Sequence, residues 1–382
     1  MMKRMFIIVS ILVLILVSFS LVNAENGMQG NTRFSLYYMI NSWKTDYKQP
    51  IGEDKLNQGV FGLSLAFAPN DKFRLDLNGA LTNTKYTAPD DAQFKLSSVN
   101  DTKLRATYFV ADGKGSASLY VNLPTGKKEL TPEEYGITTA ISDISRKFLT
   151  RRYGQGLDIG TDWYALPRFG KATLQVGGGY LYHGKYQILK ADTRKYKYGD
   201  QISGKVGVMV DNKPFGGSIA FTARYYLKDK FDDKEIFQAG VTSGFNLQVT
   251  YSDMCNVRAG ISTLSRAKAK VRSSGEETIS DEALKSGRNE ALFYLDGSYP
   301  FTEKVNGLGR IEYLSVSANE YTKTDLLFRP KSHYVGLSGG AGYAFTETLS
   351  GSLMASYYTG KIDEDFGLSG FGLALVVTFR AK

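Results

Sequence analysis

The chain has 382 residues, with 47 Lys and Arg against 38 Asp and Glu, a formal net charge of +9. Cys255 is its only cysteine and His183 and His333 its only histidines, so an intramolecular disulfide and a His/Cys metal cluster are excluded, and neither metal nor cofactor is expected. With 40 Gly, 25 Tyr and 22 Phe the composition is unlike that of an ordinary globular domain, and no linker, low-complexity tract or charge block marks a second one or points to a nucleic-acid partner.

The N-terminus reads as an export signal. Lys3 and Arg4 precede an apolar run from Phe6 to Val22, and Val22-Asn23-Ala24 offers a cleavage site. Residues 1–24 are the expected signal peptide and 25–382 the mature chain; loss of Lys3 and Arg4 takes the charge from +9 to +7. An uncleaved anchor is the alternative, since the run approaches the lower length of a spanning helix. No second apolar stretch is long enough to cross a bilayer as a helix.

From there the chain alternates apolar and polar residues with a period of two. Phe61, Leu63, Leu65 and Phe67 do so first, then Phe73, Leu75 and Leu77, then Ile219 to Leu227, Phe245 to Tyr251, and Leu373 to Phe379. Such alternation gives a strand one apolar face, which a soluble sandwich would also show. The connections separate the two. Short turns rich in Gly, Pro, Asn and Asp fall near 69–72, 111–114, 168–170, 211–214, 252–254, 301–304 and 346–348. Between them lie longer polar excursions near 44–55, 86–95, 125–153, 186–199, 229–235, 268–288, 319–331 and 361–365. Short and long connections in strict alternation are the mark of a transmembrane antiparallel up-and-down β-barrel, with tight periplasmic turns and outer loops. About 16 strands are expected, with 14 or 12 as alternatives. Tyr and Phe near the strand ends, as in Tyr37-Tyr38, Tyr225-Tyr226 and Tyr357-Tyr358, suit the aromatic girdles at the two interfaces.

The longest excursion carries a helix signal. Thr131-Pro132-Glu133-Glu134 combines a cap, Pro at the first helical position and Glu three after the cap. Ile137, Ile141, Ile144 and Phe148 follow at helical spacing, with Arg146 and Lys147 at the C-terminal end. A helix over about Pro132 to Phe148 must bury that stripe, either in the lumen as a constriction or lid, or against a partner outside.

Flanking this loop, Val121-Asn122-Leu123-Pro124-Thr125-Gly126-Lys127 and Tyr153-Gly154-Gln155-Gly156-Leu157-Asp158-Ile159-Gly160 resemble the outer-membrane channel family linked to the meta-pathway of phenol degradation. That resemblance covers about 40 residues and implies a channel for small aromatic or hydrophobic compounds, distantly similar to the fatty-acid channels. Pro-Thr-Gly is also simply a good exit from a strand.

The apolar-out register turns Arg33, Arg74, Arg105, Arg224, Arg258 and Arg310 inward, together with Asp76, Asp158, Asp162, Asp211, Asp296 and Glu312. A charge facing lipid at the midplane would cost roughly 2–4 kcal/mol. Arg33, Arg74, Arg105, Arg258 and Arg310 are expected in the periplasmic half with Asp76, Asp211 and Glu312, which leaves a modest positive excess. These charges either select permeants, with a weak anion preference, or brace the wall in pairs. The function expected is a passive, porin-like channel for small solutes, possible cargoes including aromatic or carboxylate compounds. The alternatives are a structural or adhesive barrel acting through its outer loops and a hydrolase using His183. Expected partners are the permeant, membrane lipid and, at Lys190, Arg194, Lys195 and Lys197, lipopolysaccharide phosphates.

Overall fold

The computed structural model describes residues 31–47, 52–110, 113–151, 153–273 and 275–381, so the expected signal segment 1–24 lies outside the described residues. Strand β1 is Asn31–Tyr47, β2 Gly52–Asn70, β3 Phe73–Thr87 and β5 Gly115–Leu123. Between the last two, β4 runs in two pieces, Gln93–Val99 and Thr102–Val110; β6 is Asp158–Ala165 continued by Arg168–Phe169. Then come β7 Ala172–His183, β8 Gln201–Asn212, β9 Phe215–Tyr226, β10 Thr242–Ser252 and β11 Asn256–Arg266. The last five are β12 Glu290–Pro300, β13 Val305–Val316, β14 Ser332–Ala344, β15 Leu349–Ile362 and β16 Phe366–Ala381.

Each strand pairs antiparallel with the next, and β16 returns to pair with β1 from Thr32↔Ala381 to Tyr47↔Phe366. The result among the described residues is a closed antiparallel barrel of 16 strands. Closure leaves no strand edge unpaired, the condition for a sheet to sit in hydrocarbon. One register runs round the wall: Arg33↔Ala66, Ala66↔Asp76, Asp76↔Arg105 and onward share the inner face. The outer face carries Leu75, Leu119, Phe221, Val249, Ile311 and Leu337, all largely exposed. An apolar belt of this extent on a closed barrel is a lipid-facing surface, and the protein is an outer-membrane barrel.

Three outer connections are tighter than the polarity of the sequence suggested. Residues 44–47 and 52–55 pair as a continued hairpin, and 86–95 and 361–365 likewise extend theirs instead of forming long loops, with Lys44↔Lys55 and Lys361↔Gly367 still in register. Polar alternation continues the ladder above the membrane as well as within it. The aromatic doublets also divide: Tyr38, Tyr225 and Tyr357 face outward, whereas Tyr358 is buried in the lumen and Tyr37 lies against Gly62. Adjacent strand residues point to opposite faces, so a doublet supplies one ring to the girdle and one to the interior.

The outer connections β7–β8, β9–β10 and β11–β12 build a second, six-stranded sheet from Tyr186–Gln187, Lys195–Lys197, Asp229–Phe231, Lys234–Gln238, Lys270–Val271 and Ser280–Asp281. All short turns lie at the opposite end. Cys255, in the short turn after β10, should therefore resist a membrane-impermeant maleimide added to intact cells, while a cysteine placed at Thr324 should react. Strong labelling of Cys255 would invert the topology.

Candidate functional site

The loop between β5 and β6 folds into the barrel. Its helix, α1, spans Pro132–Ser142, and Thr131 and Glu134 form the reciprocal cap that the sequence signals. It stops six residues short of Phe148. Asp143 leaves the helix in an extended conformation, its carboxylate accepts from the Ser145 amide at 2.9 Å, and Arg288 holds it at 2.7 Å. A side chain that bonds its own backbone two residues on competes with the helix. Ile137 and Ile141 are thus buried from the helix, whereas Phe148 is buried from the segment after it and Ile144 packs beside the cluster. They meet Trp43, Leu56, Leu96, Leu314, Tyr334, Tyr358 and Leu368 of the wall. Arg146 and Lys147 do not complement a helix end; they are anchors.

Arg146 is 5% exposed and donates to both oxygens of Asp54, at 3.0 and 2.9 Å, and to the Thr45 hydroxyl at 2.6 Å. Lys147 donates to both oxygens of Glu312, at 2.6 and 2.8 Å. Gln58 and Thr150 exchange hydrogen bonds, side-chain amide to carbonyl at 2.8 Å and backbone amide to side-chain oxygen at 3.1 Å. Ser145 meets Ser332 at 2.6 Å, and the Tyr153 hydroxyl bonds Thr84. Burial pushes the Tyr153 hydroxyl up to about 12, so it stays protonated. These anchors fall on β1 to β3 and β13 to β14, so the loop is moored along one side of the lumen.

The base of the loop is a clasp on Asp101, at the break in β4. One carboxylate oxygen accepts from the Gly126 amide at 2.9 Å and the other from the Gln155 amide at 2.9 Å, which ties both ends of the loop to one side chain. The ends pass so closely that a Cβ on Gly126 would sit 1.9 Å from the Tyr153 carbonyl oxygen, so glycine is required there. The Leu-Pro-Thr-Gly and Tyr-Gly-Gln-Gly segments are the two sides of this clasp. Asp101, Asp54, Gln58, Thr150 and Arg288 were not singled out from sequence. The only local signal for Asp101 is the interrupted alternation at Asn100-Asp101.

The inward charges are mostly paired. Arg74 meets Asp76 at 2.6 Å and Arg105 meets Asp162 at 2.9 Å. Arg258, Asp296, Arg310, Glu312 and Lys147 form one chain of alternating charges, with contacts of 3.0, 3.3, 2.6 and 2.6 Å. Glu312 therefore lies at the level of the loop, four residues from the outer end of β13, and not in the periplasmic half. Asp158 bonds His183 Nδ1 at 2.9 Å and accepts from Asn122 at 3.0 Å. The His183 ring lies against Tyr198, and no hydroxyl or thiol hydrogen-bonds it among the described residues. Arg33, Arg224 and Asp211 point inward without a side-chain partner among the described residues.

Space remains around the loop. A cavity of about 530 Å³ separates Ile144, Lys147 and Arg151 from the wall of β9 to β13. A second, of about 320 Å³, opens outward among Lys127, Lys128, Tyr135, Tyr153, Tyr186, Tyr196 and Tyr198. A third, of about 420 Å³, lies at the short-turn end beside Leu308, Ser352 and Val376.

No family model and no curated protein sequence matches the chain. Among solved structures, the chain is similar at low identity to several outer-membrane proteins. An outer membrane channel from Pseudomonas putida F1 is 11% identical with a TM-score of 0.38, over 92% of this chain and 95% of that one. The CymD monoaromatic hydrocarbon channel is 12% identical with a TM-score of 0.40, over 91% and 88%. An anion-selective porin from Comamonas acidovorans is 11% identical with a TM-score of 0.39, over 92% and 100%.

Proposed function

We propose that the protein is a passive outer-membrane channel, not an enzyme, whose lumen is narrowed by its own β5–β6 loop. The observation that carries this reading is the one-sided mooring of the loop. It leaves cavities on its outer side, between it and β9 to β13, and at the short-turn end. A 16-stranded barrel is wide enough to hold an aqueous lumen, and the polar inner face would keep the residual path wet. Small solutes are the fitting cargo, with aromatic or carboxylate compounds suggested by the resemblance of the clasp segments to the phenol meta-pathway family.

A weak anion preference follows from the charges left over once pairs are formed. Arg33 stands opposite Arg380 at the short-turn end, neither has a side-chain partner among the described residues, and with Arg224 they outnumber the unpartnered carboxylate Asp211. The paired residues Arg74, Arg105, Arg258 and Arg310 brace the wall and contribute little net field. In this reading lipid covers the apolar belt, and lipopolysaccharide phosphates meet the basic outer loop through its exposed Lys190 and Lys195.

Purified protein in planar bilayers should conduct, and reversal potentials in a KCl gradient should favour chloride, more strongly at low salt. Folded, inserted protein that passes no current would defeat the channel reading. Preference for potassium would defeat the anion reading alone.

A further inference from the structure

Resting on the channel reading, we infer that the passage beside the loop is a binding subsite for organic carboxylates with an apolar body, and that Arg151 forms its outer threshold. Arg151 lines both the outer cavity and the cavity facing β9 to β13. It is the one residue that the two linings have in common.

The charges around the inner cavity are unequal in a specific way. Its lining holds four cations, Lys147, Arg151, Arg224 and Arg310, and two carboxylates, Glu290 and Glu312. Both carboxylates are already engaged: Glu312 by Lys147 and Arg310, and Glu290 by Arg266 at 2.6 Å. Arg151 and Arg224 have no ion pair and donate no side-chain hydrogen bond among the described residues, and both are exposed to the lumen. Two uncommitted guanidiniums, one on the loop and one near the outer end of β9, therefore face the same space. A guanidinium presents a planar fork that matches a carboxylate.

Beside the polar Thr222, Asn246, Ser262 and Thr263, the lining carries an apolar patch made by Ile144 on the loop and Leu264, Leu292 and Leu314 on the wall. Inorganic phosphate would leave that patch wet, whereas a carboxylate on a small ring or chain would cover it while meeting an arginine. A volume of about 530 Å³ suits a small molecule of this kind.

Calorimetric titration of the detergent-solubilised barrel tests the subsite without requiring conduction, and current block in bilayers tests it during conduction. Benzoate should bind more tightly than acetate, benzyl alcohol or inorganic phosphate. Arg151→Ala and Arg224→Ala should each weaken benzoate about tenfold, as expected for loss of a charge-assisted hydrogen-bonding partner. Arg151→Lys should restore part of the affinity, and Arg74→Ala should leave it unchanged; heat-modifiable gel mobility verifies the fold of each. Equal binding of benzoate and benzyl alcohol, phosphate binding as tight as benzoate, or unchanged affinity in both arginine variants would overturn the proposal. Benzoate binding to a barrel that carries no current would keep the subsite and remove the channel reading instead.

Discussion

Deletion of residues 131–149 should raise single-channel conductance several-fold. The deletion removes α1, both charged anchors and Phe148 while leaving every barrel strand intact. The segments that flank the deletion already run together, because Gly126 and Tyr153 are in contact and Asp101 holds both sides. The groups that the loop covered on the inner wall, among them Asp54, Gln58 and Glu312, would be rehydrated by the lumen. They would not be left buried and unsatisfied. The barrel should therefore insert normally, with the bore expected of its strand number. Equal conductance in a heat-modifiable, inserted deletion variant would refute the constriction and leave the loop as a partner-binding element.

Replacing Arg146 with Ala should release the loop without opening the barrel. Asp54 is 3% exposed, and in the native protein its carboxylate is met by Arg146, the Thr45 amide and the Tyr47 hydroxyl. Removing one partner of a buried ion pair costs about 3–5 kcal/mol, because the other charge stays behind uncompensated. That penalty falls on docking, since the strand ladder of β1 and β2 does not use the Arg146 side chain. The variant should show bursts of larger conductance, and trypsin added from the outer side should cut at Lys147 or Arg151. Asp54→Ala should behave similarly, and the double variant should be milder than the sum of the two. Wild-type conductance together with wild-type protease resistance in both single variants would show that the pair does not hold the loop.

The barrel was legible because its signals are local. Alternation along Phe73 to Asn78 or Phe245 to Tyr251 fixes a face, and a turn such as 301–304 fixes a reversal, without reference to the rest of the chain. The start of α1 was legible for the same reason, since the Thr131 cap and its Glu134 partner lie within one helical turn. Its end was not. Asp143 is held by Arg288, 145 positions away, and no helical spacing reveals that contact. The anchors were hidden in the same manner: Arg146 finds Asp54 across 92 positions and Lys147 finds Glu312 across 165. For the lumenal arginines, sequence gave direction without company. It turned Arg258 inward but could not show that Asp296, 38 positions away, would take its charge.

The seam that closes the sheet joins β1 to β16 and brings Ser35 and Thr378, 343 positions apart, hydroxyl to hydroxyl at 2.9 Å. Hairpins such as β1–β2 can form as soon as their own residues are available, whereas the seam must wait for the whole wall. Contacts across so long a loop carry the highest closure entropy and the slowest formation. Until they form, β1 and β16 each present a row of open backbone donors and acceptors to any other strand, including the same strand of a second copy. Mispairing during assembly is therefore a race confined to these two strands, and the last hydrogen bonds of the native barrel are the ones that end it.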